Sequence, residues 1–171
     1  SLKLEINIFD NDDTIMPRIA QMTQKTNQFN LNTKRYTESD IKSFLNNNDI
    51  EVIAFSVEDK FGNSGITGLS IIRMDKNNNF SSIDSFLMSC RIIGRNLEYV
   101  FMDYLIKKMK KNSIVELRAE YTISPKNIQV KEFYDQCGFQ IIAKDKTRIR
   151  YNLILKKYKS KKIEYIEVVN G

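Results

Sequence analysis

The spacing of apolar residues in the first part of the chain predicts one strand followed by two helices. Apolar and polar residues alternate over positions 2–9, which is the pattern of a half-buried strand. After the acidic segment 10–14, apolar residues recur at helical spacing, and that helix is expected to end near 27–30. Thr37, which has an aspartate three positions later, predicts the capped start of a second helix that stops at 46–48.

The rest of the chain predicts three strands, and then helices and strands in alternation. The predicted elements are strands over 50–57, 65–74 and 82–89, a helix from Leu97, a strand over 114–121, a helix over 127–136 ended by Gly138, and strands over 139–143 and 147–155. This order predicts an α/β fold with a mixed, mostly antiparallel sheet flanked by helices. Because neither a repeat nor a linker interrupts it, residues 1–171 are expected to form a single domain.

The composition limits the chemistry that the chain can use. It contains no histidine, which removes the commonest general base, the commonest metal ligand and every Ser-His or Cys-His nucleophile pair. Cys90 and Cys137 are too few for a disulfide framework or a four-ligand zinc site, so no metal is expected. No apolar run is long enough to span a bilayer and no signal peptide opens the chain. We therefore expect a cytoplasmic protein without a membrane partner.

Positive charge is concentrated towards the end of the chain. The net charge is +6, and residues 156–162 contain five lysines and a tyrosine. Such a run can bind nucleic acid, but it is more typical of a solvated face or a chain end. It would also suit an acidic carrier protein or a phosphate-bearing cofactor. Charge alone does not choose among these, and we expect no nucleic-acid partner.

A candidate anion site lies between a predicted strand and a predicted helix. Residues 82–96 end in Arg-x-x-Gly-x-Asn directly before the helix. Glycine lets the backbone approach a phosphate, the helix N-terminus adds partial positive charge, and Arg91 and Arg95 supply full charges. An ordinary strand-to-helix turn would look similar. The candidate cofactor-binding residues of this turn are Ser89, Arg91, Ile92, Gly94, Arg95 and Asn96.

A second motif, about thirty residues further on, strengthens the first. Residues 127–139 carry Asn-x-x-Val-x-x-Phe-Tyr and then Gly-Phe. Together the two motifs resemble the GNAT superfamily, whose acyl-CoA loop reads Gln/Arg-x-x-Gly-x-Gly/Ala and whose later helix carries an Asn and a Tyr before a Gly-Phe. The resemblance implies the GNAT acyl-CoA N-acyltransferase fold, an acyl-CoA or phosphopantetheine thioester bound as substrate, and Asn127 as a further cofactor-binding residue. Asn96 stands where that superfamily has Gly or Ala.

Longer stretches of the chain resemble the C-terminal region of FkbH-like proteins. These stretches are residues 18–31, 59–62, 83–91 with Gly94-Arg95, and 125–127. In that family an upstream HAD-type, magnesium-dependent domain takes a glyceryl unit from a glycolytic acyl phosphate. The unit is loaded onto an acyl carrier protein for polyketide-type biosynthesis, such as methoxymalonyl extender units. The resemblance implies an acyltransferase domain with an acyl carrier protein and a HAD-type domain as partners.

The HAD motif with its paired aspartates is absent from this sequence. Residues 10–13 are rich in acidic side chains, but no Asp-x-Asp-x-Thr follows a predicted buried strand. The chain is therefore expected to be the GNAT half without its HAD partner. Two alternatives stay open: a carrier-protein docking module that is not itself catalytic, and an amine N-acetyltransferase that uses acetyl-CoA.

Four residues are candidates for catalysis. The resemblance places the Tyr134 hydroxyl beside the cofactor sulfur, where it would protonate a leaving thiolate. Cys90 would hold the acyl group as a thioester, since Arg91 and the helix N-terminus would lower the pKa of its thiol. Asp84 or Glu120 would act as the general base in a chain without histidine. Each residue also has a structural explanation, as a packed tyrosine, a buried strand cysteine, a hydrogen-bonded strand residue and an exposed strand residue respectively.

The segment after the first helix is the candidate substrate-binding segment. Asn27, Gln28, Asn30 and Arg35 cluster there, on what the resemblance implies is the acceptor side of the cleft. Their amide groups suit a hydroxylated acyl group such as glyceryl, and they also suit a plain turn. The enzyme hypothesis requires an open path along which the thiol arm runs from the 91–96 turn towards Tyr134.

Overall fold

The computed structural model describes residues 3–170, and within that range nine strands form one sheet. The strands are β1 (Leu4–Asp10), β2 (Phe29–Asn30), β3 (Ile50–Asp59), β4 (Gly62–Asp75), β5 (Phe80–Met88), β6 (Glu116–Thr122), β7 (Gln140–Lys144), β8 (Arg148–Ile154) and β9 (Ile166–Asn170). The α-helices are α1 (Met16–Lys25), α2 (Glu38–Leu45), α3 (Leu97–Lys111) and α4 (Phe133–Gln136). Leu2, which the alternation places in the first strand, lies outside the described residues.

The sheet is mixed, and one parallel pair lies at its centre. The strand order is β7-β8-β6-β5-β4-β3-β1-β9, and β2 pairs with β5. Strands β5 and β6 are parallel, as are β1 and β9, whereas the other neighbours are antiparallel. Helix α3 connects β5 to β6. Because ligands of open α/β sheets bind outside the carboxyl ends of such strands, a site is expected where β5 and β6 end.

Helices cover the two faces of the sheet unequally. Phe55 and Phe86 pack with residues of α3 and α4 in the larger core cluster, and the neighbouring Ala54 and Leu87 pack with residues of α1 and α2 in the smaller one. Since successive strand residues point to opposite faces, the helix pairs lie on opposite sides of the sheet. Helices α1 and α2 cover β3, β4 and β5, and they leave the same face of β6 and β8 exposed.

Two predicted element boundaries are confirmed in detail. The Thr37 hydroxyl accepts a hydrogen bond from the Asp40 amide at 3.1 Å, and the Asp40 carboxylate accepts one from the Thr37 amide at 2.9 Å. This reciprocal pair is the capping box that starts α2. Gly138 has a φ of +90°, the left-handed conformation that ends a helix before a strand.

The predicted helix over 127–136 is wrong in its first part. The chain forms a 3₁₀ turn over Ile128–Val130, and α4 has only four residues. Asn127 accounts for the difference, because its side chain accepts from the Ser124 amide and donates to the Thr122 carbonyl. Local bonds of this kind compete with helical ones. The short strand β2 and the last strand β9 are elements that the sequence did not predict.

None of the helices in the described part of the chain is long and apolar enough to cross a membrane.

Candidate active site

The predicted anion-binding turn is formed at the carboxyl end of β5. Gly94 has a φ of +89° and Asn96 a φ of +65°, both in the left-handed region, and a Cβ added to Gly94 would meet no atom within 4 Å. Ile92 and Leu97 are buried on either side and anchor the turn, while Arg91 and the residues from Gly94 to Asn96 are exposed. The Asn96 side chain makes no capping bond to α3. The amides of residues 91–93 are bonded to the chain just before them, so an exposed turn of this shape can present those of residues 94–96 to an anion.

Arginines surround this turn. The Arg91 guanidinium donates to the Ser64 carbonyl at 3.3 Å and to the Ser89 hydroxyl at 3.4 Å. Arg95 lies 3.9 Å from the Asp59 carboxylate. Burial and the neighbouring charge of Arg91 both lower the pKa of Arg18. Arg18, whose guanidinium donates to the Ile66 carbonyl, therefore lies close enough to Arg91 to feel its charge.

The segment between β8 and β9 contacts the same turn. The Tyr165 hydroxyl donates to the Arg95 carbonyl at 3.0 Å and accepts from the Asn96 amide group at 2.8 Å. Lys161, from the predicted basic run, lies 4.5 Å above the ring of Tyr99 in the first turn of α3. The basic run therefore contacts α3, the helix that begins directly after this turn.

Cys90 lies in an open cavity beside the turn. Its side chain is exposed, and the cavity has a volume of about 370 Å³. Two of the four predicted substrate residues, Asn27 and Gln28, share it, together with the cations Arg18 and Lys25. The structure thus brings the candidate nucleophile and part of the candidate substrate segment together.

The gap between β5 and β6 is filled by β2. The direct pairing of β5 with β6 ends at Ser82 and Arg118, and beyond it β2 pairs antiparallel with the last residues of β5. The Leu31 amide donates to the Phe86 carbonyl at 3.2 Å, and the Leu31 carbonyl accepts from the Thr122 amide at 2.8 Å. We call this stretch, in which residues 29–31 lie between 86–88 of β5 and Thr122 at the end of β6, the closed seam.

Asn127 fastens the closed seam from the β6 side. Its side-chain amide donates to the Asn30 carbonyl at 2.8 Å and to the Thr122 carbonyl at 2.9 Å. Its side-chain oxygen accepts from the Ser124 amide at 3.0 Å and from the Tyr121 hydroxyl at 3.1 Å. The residue is fully buried with its bonds made. In this conformation Asn127 holds the chain's own β2 rather than facing a cofactor.

The remaining predicted substrate residues stabilise the loop that carries β2. The Asn30 side chain donates to the Thr26 carbonyl at 3.1 Å and accepts from the Thr33 amide at 2.9 Å. Arg35 donates to the carbonyls of Thr23 and Thr26 and to the Asn27 side chain. These bonds fix the conformation of the loop between α1 and α2.

Tyr134 lies in the larger core cluster. Its ring is 1% exposed and packs on the rings of Phe133, Phe139 and Tyr151. Burial, with smaller contributions from neighbouring Cys137 and Tyr151, raises its pKa well above the ordinary value. A phenol whose pKa is raised is a weaker acid than an ordinary tyrosine. Helix α4, which carries Tyr134, contacts the first turn of α3 through the rings of Phe133 and Tyr99.

Asp84 and Glu120, the two candidate general bases, line one cavity. This cavity, here called the Asp84 cavity, has a volume of about 310 Å³ and lies on the face of the sheet that bears α1 and α2. The Asp84 carboxylate accepts from Tyr36 at 2.6 Å, Arg73 at 3.0 Å and Lys34 at 3.2 Å. Glu120 lies 3.4 Å from Arg150. Cys90 and Tyr134 are not among the residues that line this cavity.

The partners of Asp84 determine its chemistry. Burial alone would raise the pKa of this carboxyl group, but the Tyr36 hydroxyl, the Lys34 ammonium and the Arg73 guanidinium outweigh burial and lower it. The same contact and burial raise the pKa of Tyr36. A carboxylate held ionised by several donors is a weak proton acceptor, so the structure favours Asp84 as an anchor for cations.

Sequence reasoning missed the cations of this cavity. Lys34, Arg73, Arg118 and Arg150 all line it, with side chains that are about half exposed. The sequence contains a signal for Arg118 and Arg150, because charged residues occupy alternate positions of β6 and β8. These residues share the uncovered face of the sheet, where Arg150 lies opposite Glu120. Lys34 and Arg73 reach the cavity only through tertiary packing.

No cluster of three or more His, Cys, Asp or Glu side chains in residues 3–170 is placed to hold a metal ion.

Comparison with known proteins identifies the fold. No family model and no curated protein sequence matches the chain. It is similar to the ribosomal-protein-S18-alanine N-acetyltransferase from Escherichia coli, with a TM-score of 0.66 and 14% identity over 88% of this chain and 94% of that one. It is also similar to mutant forms of the spermidine/spermine N-acetyltransferase SpeG from Vibrio cholerae, with a TM-score of 0.67 and 11% identity over 90% of this chain and 95% of that one.

A third similar structure contains a ligand. YncA from Salmonella typhimurium, solved with its cofactor acetyl-CoA, matches with a TM-score of 0.65 and 12% identity over 92% of this chain and 98% of that one. Nothing in these comparisons tests the resemblance to FkbH-like proteins, which stays a prediction. At such identities structural likeness speaks for the fold, and the predicted α/β architecture is confirmed: the chain has the GNAT acetyltransferase fold.

Proposed function

We propose that this chain is an acyltransferase that binds a pantetheine thioester, on acyl carrier protein or on CoA, at the 91–96 turn. The observation that carries the proposal is the left-handed turn of Gly94 and Asn96, exposed at the start of α3 and surrounded by arginines. Backbone amides, a helix N-terminus and fixed positive charge form a phosphate cradle. A solved protein of the same fold contains acetyl-CoA, which supports a CoA-type ligand.

In the proposed reaction Cys90 and Tyr134 keep the roles that the sequence suggested. Cys90 is exposed beside Arg18 and Lys25, where a thioester carbonyl brought in from the turn would meet it. Exchange between thiols is nearly balanced in free energy, so catalysis would rest mainly on positioning. Tyr134 would donate to the leaving thiolate once a rearrangement brings its buried hydroxyl to the same thioester.

The closed seam sets a condition on this function. For an arm to pass between β5 and β6, residues 29–31 must leave the gap. Loss of the backbone pairing of β2 with β5, of the two Leu31 bonds and of the Asn127 bond, with exposure of Phe29 and Leu31, would cost at least about 6 kcal/mol, against about 8 kcal/mol for binding a ligand with a micromolar Kd. Unless the arm remakes these contacts, the apparent affinity falls roughly ten-thousandfold.

A second candidate function follows from the same observation. A domain whose seam is occupied by its own chain would dock a carrier protein at the surface without catalysis. The arginines at the turn and the lysines at 156–162 suit an acidic carrier. The resemblance of residues 18–31 and 83–91 to FkbH-like proteins supports a carrier thiol as acceptor, a glyceryl-type acyl group and a HAD-type partner domain under either candidate.

Binding and transfer measurements on the full chain separate the candidates. Acetyl-CoA and an acetylated acyl carrier protein are titrated into wild type, Arg91→Gln and the control Lys110→Gln, whose side chain lies on the exposed part of α3. The acyltransferase predicts binding that Arg91→Gln weakens about tenfold or more and Lys110→Gln leaves unchanged, and acyl transfer that Tyr134→Phe slows.

Docking alone predicts a different result. Holo- and apo-carrier would bind equally, and neither Tyr134→Phe nor Cys90→Ser would change turnover in a complete system. Absence of any thioester or carrier binding, by wild type and by a variant with an opened seam, would refute both candidates.

A further inference from the structure

The Asp84 cavity lies where the two halves of the sheet are covered differently. Asn32 and Lys34, from the loop between α1 and α2, line one side of it, and Arg118 and Arg150, on the uncovered face of β6 and β8, line the other. Its volume of about 310 Å³ is at the lower end for ligand pockets, which suits a small molecule. The cavity therefore has a wall formed by the loop between α1 and α2, and it is open on the side of β6 and β8.

Positive charge predominates in this cavity. Four cationic side chains and two carboxylates line it. Arg73, Arg118 and Arg150 each bond to a carboxylate through a single nitrogen, at 3.0, 3.1 and 3.4 Å. A guanidinium carries five N–H donors in a fixed fork, so each arginine keeps donors for a further acceptor. An anionic ligand fits this balance, and a polyamine does not.

One residue that lines the cavity has a buried polar atom without a partner. Asn32 is 8% exposed, its side-chain amide donates to the Asp84 carbonyl, and its Oδ1 atom accepts no hydrogen bond among the described residues. A buried acceptor without a donor is costly, and unmade bonds of this kind are uncommon in folded proteins. The group that Asn32 lacks is a hydrogen-bond donor, such as a hydroxyl.

The geometry points to the Asp84 cavity as a binding site for a small hydroxylated carboxylate, with the arginines on the carboxylate and Asn32 Oδ1 accepting from the hydroxyl. The binding claim stands by itself. Only the ligand's role, as the group on the acceptor side of acyl transfer, rests on the proposed function. The assignment also argues against an amine acceptor, because an ammonium group would meet Arg73, Arg118 and Arg150.

Malate and succinate test this assignment, because they differ by one hydroxyl group. Isothermal titration of the full chain at low salt, without thioester, should show malate binding about tenfold more tightly than succinate and no binding of spermidine. Arg150→Gln should weaken both acids by about tenfold, whereas Lys110→Gln, which removes the same charge from α3, should weaken neither.

A variant of Asn32 tests the hydroxyl contact. Asn32→Ala should abolish the preference for malate while it leaves succinate binding unchanged, and Asn32→Ser serves in its place if thermal melting shows that the alanine variant is unfolded. The assignment is overturned if neither acid binds at millimolar concentration, if spermidine binds, or if orthophosphate binds more tightly than malate. Because no thioester is present, these outcomes are independent of whether the chain transfers acyl groups.

Discussion

The closed seam and the Asp84 cavity lie side by side along β5, and they differ in how their polar groups are satisfied. In the closed seam, backbone and side-chain groups from Phe29 to Leu31 find partners on β5, on β6 or on Asn127. In the Asp84 cavity, arginines keep spare donors and Asn32 keeps an unpartnered acceptor. In the closed seam the chain's own residues therefore take the hydrogen bonds that a ligand could otherwise make. In the Asp84 cavity those hydrogen bonds stay free for a ligand.

The largest effect is expected from a substitution that removes a side chain holding β2 in the closed seam. Phe29→Ala removes a ring packed on Phe86 and Phe133, and we expect it to lower the free energy of unfolding by about 3 kcal/mol. The same change weakens the hold of β2, so acetyl-CoA should bind at least tenfold more tightly than to wild type. Urea denaturation and titration measure the two effects.

Phe61→Ala is the matched control for this variant. The Phe61 ring is 78% exposed, so its loss should change the unfolding free energy by less than about 0.5 kcal/mol and leave binding unchanged. If Phe29→Ala destabilises the fold without any gain in thioester binding, the seam is a structural element and not an occupied ligand path.

A somewhat smaller effect is expected from the residue that fastens the seam. Asn127→Ala leaves the Asn30 and Thr122 carbonyls without their donor, and should cost about 2 kcal/mol of unfolding free energy. Hydrogen exchange should become faster at the Leu31 amide. Asn78→Ala, at an exposed turn, is the comparison, and equal exchange in both variants would contradict the fastening role.

The smallest effect concerns the cavity and depends on pH. The pKa of Asp84 in the fold lies below its ordinary value of 3.8, so the ionised form binds its cations better in the folded than in the unfolded chain. That stabilisation is complete above the ordinary value and is lost as the pH falls through the lowered one. Asp84→Asn should therefore cost about 1 kcal/mol at pH 7, and this cost should shrink as the pH falls below the ordinary value.

Denaturation curves of wild type and Asp84→Asn between pH 2 and 7 measure this difference. Asp75→Asn provides a control on an exposed carboxyl group whose pKa is also lowered, chiefly by Asn78. A difference between wild type and Asp84→Asn that does not change with pH would show that packing, and not charge, is what the substitution removes.

Local signals in the sequence predicted the fold well, and long-range pairing was beyond them. Thr37 and Gly138 act within a few residues of themselves, so their effect on α2 and on the end of α4 could be inferred. Strand β2 has only two residues and exists because Phe29 meets Met88, far along the chain. Neither propensity nor periodicity contains that information.

The four candidate catalytic residues lie in three different places in the structure. Asp84 and Glu120 share a cavity, Cys90 lies in another, and Tyr134 is in the core. Residue type and motif spacing indicate chemistry, but the distance between two motifs depends on what the intervening chain does. Here the loop between α1 and α2 enters the gap between two strands, and no motif marks that insertion.

The contact of Tyr165 with Arg95 and Asn96 has a consequence for proteolysis. Tyr165 contacts the Arg95 carbonyl and the Asn96 side chain, and directly after it the edge strand β9 pairs with β1. Trypsin cuts after lysine, and after a single cut in the 156–162 run the brace on the turn would depend on the pairing of β9 with β1. The turn would then lose its brace as soon as β9 leaves the edge of the sheet, while the central strands stay paired.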